Sequence, residues 1–282
     1  MYFYPDIFLR DVISKGDLKT RAPKHGFHLV SVSPWPVAMS FAVLNLPMNS
    51  ILFWNKISGS GYALALSFIL VLWTFFYWLK DVSTESDYLG AHTSFVQSGI
   101  NKGFGIFVAS EALFFAAIFW AFFHSALAPD IEIGGVWPPF GIEPIDAYEL
   151  PLLNTMILLS SGAFVTYSHH CLIKGRRNGA LNGLLVTILL GLLFTYFQYQ
   201  EYLTSTFTIA DGIFGTTFYF ATGFHSFHVM LGVLFLVASF KRMYNYKFTS
   251  QHHVGYSTSL IYWHFVDVVW LFVLTFLYFW GS

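Results

Sequence analysis

Charged residues along this chain are spaced so that seven long stretches lie between them, at 35–54, 58–79, 103–127, 150–173, 178–200, 212–240 and 255–280. Within these stretches the only acids are Glu111 and Asp267. A bilayer core needs about 20 consecutive apolar residues per helix, so each stretch predicts one membrane span. The first is the most polar, carrying Asn45, Pro47 and Asn49, and Pro36 near its start suits a first helical turn. The predicted fold is an all-α integral membrane protein with a solvent-facing tail over 1–34 and a seven-helix domain over 35–281. No internal repeat breaks the pattern.

Composition agrees with this reading. Of the 282 residues, 56% are hydrophobic, 21% are aromatic and only 10% are charged. A water-soluble domain carries about 25% charged residues. The net charge of −1 gives no pull toward nucleic acid. A single cysteine, Cys171, excludes an intrachain disulfide framework and a cysteine-rich metal site. The first 24 residues lack a signal-peptide apolar core, and they mix Asp6, Asp11 and Asp17 with five bases, unlike a transit peptide.

Charge also predicts orientation. With seven spans, the tail and the second, fourth and sixth connections share one side and hold 13 of the 14 Lys and Arg, leaving only Lys56 opposite. The positive-inside rule then puts the N-terminus on the cytoplasm-equivalent side. The 128–149 connection, with Asp130, Glu132, Glu143, Asp146 and Glu149 and no base, falls on the other.

Candidate chemistry is sparse. Among the eleven histidines only His225, His228 and His264 lie well inside spans. His225 and His228 are three residues apart on one face and would form half of a site. No paired Glu-x-x-His motif of a di-iron bundle accompanies them, and no cysteine ligand set exists. The expectation is that no metal is bound. Gly99, Gly103, Gly183, Gly215, Gly223 and Gly232 read as close packing points between helices.

Glu111 stands out, because no other charged residue lies between Gly103 and Pro129. It sits about 12 Å into its helix, where an ionised carboxylate costs a few kcal/mol or more. Its neighbours at i±3 and i±4 are Phe107, Val108, Phe114 and Phe115, so it has no local partner. It is either a proton-pathway residue or a neutral acid hydrogen-bonded to another helix, and the second is the expectation. Its expected partner is His225 or His228. Asp267 stands three residues from His264, and a structural contact between them is expected.

Several segments resemble a known family. They are "SPWP" at 33–36, "SEALFFAAIFWAFFHSALAP" at 110–129, "WPPFGIEP" at 137–144, "ELPLLNT" at 149–155, "SHH" at 168–170, "FTIADGIFGTTFYFATGFHSFHV" at 207–229 and "HHVGY…YWHFVDVVWLFV" at 252–273. In this order they resemble cytochrome c oxidase subunit III of the mitochondrial type. The resemblance implies a non-redox core subunit of the respiratory haem–copper oxidase, packed on subunit I. Haem a and copper would sit on partner subunits, with none on this chain. It implies a two-helix and a five-helix group with a lipid-filled cleft, and a part in phospholipid binding and sustained proton uptake. It also implies the mitochondrial inner membrane, with the N-terminus in the matrix and the C-terminus in the intermembrane space. By the same resemblance Glu111 matches the family's intramembrane carboxylate. Glu85, His92 and Arg242 match residues near lipid head groups. The chain departs from animal relatives at Thr84, where they tend to have a base, and at Ala91, where they have His. Two alternatives are the matching subunit of a quinol-oxidising enzyme and an independent proton-coupled transporter. The first two spans weigh against the former, and the lack of inverted repeats weighs against the latter.

Overall fold

The computed structural model describes residues 25–87 and 90–281, and its regular structure is entirely helical. Among the described residues, seven helices are long and apolar enough to cross a membrane. They are α1 (Trp35–Trp54), α2 (Ser60–Asp87), α3 (Ser94–Leu127), α4 (Leu150–Ile173), α5 (Arg177–Thr204), α6 (Gly212–Tyr244) and α7 (Val254–Val273), which continues as a π-helical segment over Leu274–Phe279. Most of the tail, 1–24, with its five bases, lies outside the described residues.

The helices outrun several apolar stretches. α2 continues to Asp87 and α3 already begins at Ser94, so most of the expected 80–102 connection is helical. At 1.5 Å per residue the 34 residues of α3 span about 51 Å, against a hydrocarbon core of about 30 Å. Hydropathy marks only the part of a helix that meets lipid, whereas the helix itself runs until its backbone bonds fail.

The chain divides into two compact units, 1–100 and 101–282. In the first, α1 packs on α2. The contact is built from small and hydroxylated residues, as suits helices that gain nothing from burying apolar surface out of lipid. Ala42 is fully buried, as are Ser67 and Thr74 nearly so. Asn49 donates to Ser67 Oγ at 2.6 Å, and the Trp35 indole donates to Asp81. Pro47 inside α1 leaves a carbonyl short of its donor. The carbonyl that loses its donor is that of Val43, four residues back; one turn on, Asn49 and Ser50 add side-chain bonds to the carbonyls of Asn45 and Leu46, at 3.0 and 2.9 Å.

In the second unit α7 carries the largest fully buried side chains. Tyr256, Trp263 and Trp270 are seven residues apart, almost two helical turns, and so lie on one face. All three are fully buried. They meet a matching polar face on α4: Tyr256 donates to Ser168 Oγ at 2.7 Å, Trp263 to Ser161 Oγ at 2.9 Å and Trp270 to Thr155 Oγ1 at 2.8 Å. Each indole or phenol thus fills the interface and satisfies its polar atom in a medium without water. Glycines set the spacing. A Cβ on Gly191 or Gly232 would come within 2.6 or 2.8 Å of the Trp263 ring. Gly183 lies tight against Ser168 and Phe164, and Gly215 tight against the Thr208 carbonyl. Gly99, Gly103 and Gly223, however, have nothing within 4 Å, so among the described residues they are not packing points.

Candidate functional site

α3 presents Glu111 and α6 presents His228. Their Oε2 and Nε2 atoms lie 2.8 Å apart. His225, the other candidate, faces away from this contact. It is fully buried, with Nε2 3.3 Å from the Val266 carbonyl and its ring against Trp270 and Phe194. Aromatic rings frame the pair: Phe115 meets the imidazole edge-on at 5.0 Å, and Tyr262 stacks on it at 6.3 Å.

The hydrogen bonds restrict where protons can be. His228 Nδ1 lies 2.7 Å from the Phe224 carbonyl, which can only accept. Nδ1 therefore carries a hydrogen. A neutral imidazole in this tautomer offers a lone pair at Nε2, so Glu111 must donate a carboxylic O–H to it. The alternative is an imidazolium facing a carboxylate. Either way one proton lies between Oε2 and Nε2 and the pair has no net charge. An ionised Glu111 facing an unprotonated Nε2 would oppose two lone pairs and leave a bare charge at membrane depth, where it costs several kcal/mol. The Glu111 side chain is 26% exposed and that of His228 only 7%. The acid is thus the more exposed member of the pair.

The other candidate residues sit at helix ends. Arg242 is in the last turn of α6, where a cation opposes the helix dipole favourably, and its guanidinium lies 4.7 Å from the Phe248 ring. Close by, Arg177 donates to the Tyr244 carbonyl at 2.7 Å, covers the Tyr246 ring at 3.7 Å and lines a cavity of about 150 Å³. In the first unit Glu85 lies near the end of α2 and His92 just before α3. His28 joins them, with Nε2 3.8 Å from Glu85 Oε2. Thr84 turns its hydroxyl back onto the Lys80 carbonyl at 2.9 Å.

The family model of cytochrome c oxidase subunit III matches residues 25–282. The cytochrome c oxidase subunit 3 of Podospora anserina is 54% identical over 94% of this chain and 98% of its own. That of Neurospora crassa is 52% identical over the same shares, and that of Arabidopsis thaliana 49% identical over 92% and 98%. The chain belongs to the cytochrome c oxidase subunit III family.

Within this subunit III chain, one buried acid escaped the sequence reading. Glu201 lies one residue past the fifth apolar stretch but within α5, and it is 1% exposed. Its Oε1 accepts from the Tyr278 hydroxyl and, at 3.1 Å, from Gln198 Nε2. Asp267 meets His264 at 3.7 Å, and the absence of a side chain on Gly162 leaves room for its carboxylate.

Proposed function

We propose that this chain serves cytochrome c oxidase, an oxidoreductase complex, as a membrane subunit that carries no redox centre of its own and supports the chemistry of its partners. Family membership over residues 25–282 supports this assignment. The relatives' names favour the cytochrome c enzyme over a quinol-oxidising one. On this reading haem a and copper belong to partner subunits, subunit I among them. The protein lies in the mitochondrial inner membrane as seven spans, with its N-terminus in the matrix. Arg242 meets one phospholipid head group, and Glu85 and His92 meet another. A base near the surface contributes about 1 kcal/mol toward an anionic lipid.

The observation that carries a proton role is the pair Glu111–His228. It stores one proton without a standing charge, and it exposes the acid side of that pair. This suits slow exchange that sustains proton uptake by a partner, and not an obligatory relay. Glu111→Gln replaces the carboxyl with an amide whose N–H still donates to Nε2, so the contact survives and the movable proton does not. Assembled Glu111→Gln oxidase should reduce oxygen at close to the normal rate. It should show a modest fall in protons pumped per electron or in the number of turnovers before inactivation. Abolished oxygen reduction in assembled enzyme would make the residue a relay. Unchanged pumping and durability would remove it from proton handling.

A further inference from the structure

We propose that His28, Glu85 and His92 form a binding site for a divalent transition-metal ion of the zinc type. This departs from the expectation drawn from the sequence, which looked for ligands inside the spans. Among the described residues these three form the only group of His, Cys, Asp or Glu side chains with donor atoms all within 4.8 Å of one another. They come from three separate stretches: the segment before α1, the end of α2 and the lead into α3.

Local structure holds these stretches together. Thr93 donates its hydroxyl to the Gly26 carbonyl at 2.7 Å, and Phe27 packs edge-on against Phe95 at 5.4 Å. The Ala91 amide bonds the Glu85 carbonyl at 3.1 Å, and Gln97 Nε2 bonds the His92 carbonyl at 2.9 Å. The two imidazoles meet edge-to-face at 5.5 Å. Tetrahedral zinc at about 2.0–2.2 Å from N and O ligands sets donor separations of about 3.4 Å. The observed 3.8 Å between His28 Nε2 and Glu85 Oε2 is close to this, and the 4.8 Å limit asks for side-chain movement only.

The donor set selects the ion. Two imidazole nitrogens and one carboxylate suit zinc and its neighbours, whereas calcium and magnesium prefer oxygen alone. The carboxylate offsets half the charge of the ion. The side chains of His28 and Glu85 are 17% and 19% exposed, so a fourth position is open to water or to an oxygen of another molecule. A bound ion would staple the segment before α1 to the ends of α2 and α3. The proposal does not depend on the head-group reading of Glu85 and His92.

The test uses the purified oxidase, washed with chelator and equilibrated at a fixed, buffered free zinc concentration. Zinc per haem a is measured by mass spectrometry. The wild type should hold one more zinc ion per complex than His28→Asn, Glu85→Gln or His92→Asn. Each loss of a ligand should weaken binding by more than the roughly 10–100-fold that losing an outer-shell partner costs. A second measurement needs no variant: zinc should protect His28 and His92 of the wild-type complex from diethyl pyrocarbonate. Equal zinc in the wild type and its assembled variants would overturn the proposal. So would equal modification of the two histidines with and without zinc. Variants that lose phospholipid but keep their zinc would show a head-group site alone, and the metal site would fall.

Discussion

The seat of Trp263 offers a sharp test of how this bundle is held. A methyl group added at Gly191 would lie 2.6 Å from Trp263 Cη2 and 2.9 Å from Val233 Cγ2. Ordinary contact begins at 3.4 Å, so the ring is short by about 0.8 Å. The indole cannot simply swing aside, because its N–H donates to Ser161 Oγ at 2.9 Å and Gly232 closes the other edge. Forcing a methyl group into a packed core costs about 1–3 kcal/mol. Stretching the indole bond adds about 1 kcal/mol. Alanine recovers about 1 kcal/mol as the better helix former. Gly191→Ala should therefore destabilise the unit by about 1–3 kcal/mol, and each 1.4 kcal/mol is tenfold in equilibrium. Gly223→Ala is the control, since nothing among the described residues lies within 4 Å of that position.

The assay is a detergent titration of purified oxidase that follows the fraction still retaining this subunit. Gly191→Ala should lose the subunit at clearly lower detergent than the wild type, and Gly223→Ala, which gains the helix-propensity term without the clash, should keep it to detergent as high as the wild type or higher. Trp263→Leu should remove most of the difference caused by Gly191→Ala, because the two positions touch and their effects must couple. Indistinguishable curves for Gly191→Ala and Gly223→Ala would refute the packing argument. Equal sensitivity to Gly191→Ala with and without Trp263 would show that the clash is elsewhere.

Two further predictions concern the membrane frame. In a Cys171→Ala background, Lys174→Cys and Glu143→Cys should react with an impermeant thiol reagent from opposite sides, and labelling from one side would sink the seven-span orientation. Arg242→Ala should lower the phospholipid retained per complex after a fixed detergent wash, and equal lipid in variant and wild type would remove Arg242 from lipid binding.

How far these features were legible in the sequence depended on the range of the interaction that makes them. The apolar stretches mark where seven helices meet lipid, because hydropathy is a property of each segment alone. The ends of α2 and α3 were hidden, because polar residues such as Glu85 and Gln97 extend a helix into water without any hydrophobic signal. Glu111 was visible as an isolated acid. Its choice of His228 over His225 was not, since a three-residue step turns a side chain by about 60° and only the packing of α6 decides which one faces α3. Glycines show the same limit: Gly183 and Gly232 lie against neighbours while Gly103 and Gly223 do not, and nothing in their local sequence separates the two groups.

The cluster of His28, Glu85 and His92 lies furthest from what a sequence yields directly. Each member alone is an ordinary polar residue in or beside a connection. Metal spacing rules work where ligands share a helix or a tight loop, because backbone geometry then fixes their separation. Here 57 positions separate His28 from Glu85, and their approach depends on the Thr93–Gly26 bond and the Phe27–Phe95 contact. Those contacts also make the site sensitive to a remote change. Thr93→Val removes the bond to Gly26 while leaving all three ligands in place. It should weaken zinc binding less than the loss of a ligand does, but measurably. Unchanged affinity in Thr93→Val would show that the segment before α1 is held in place by the ion itself and not by the fold.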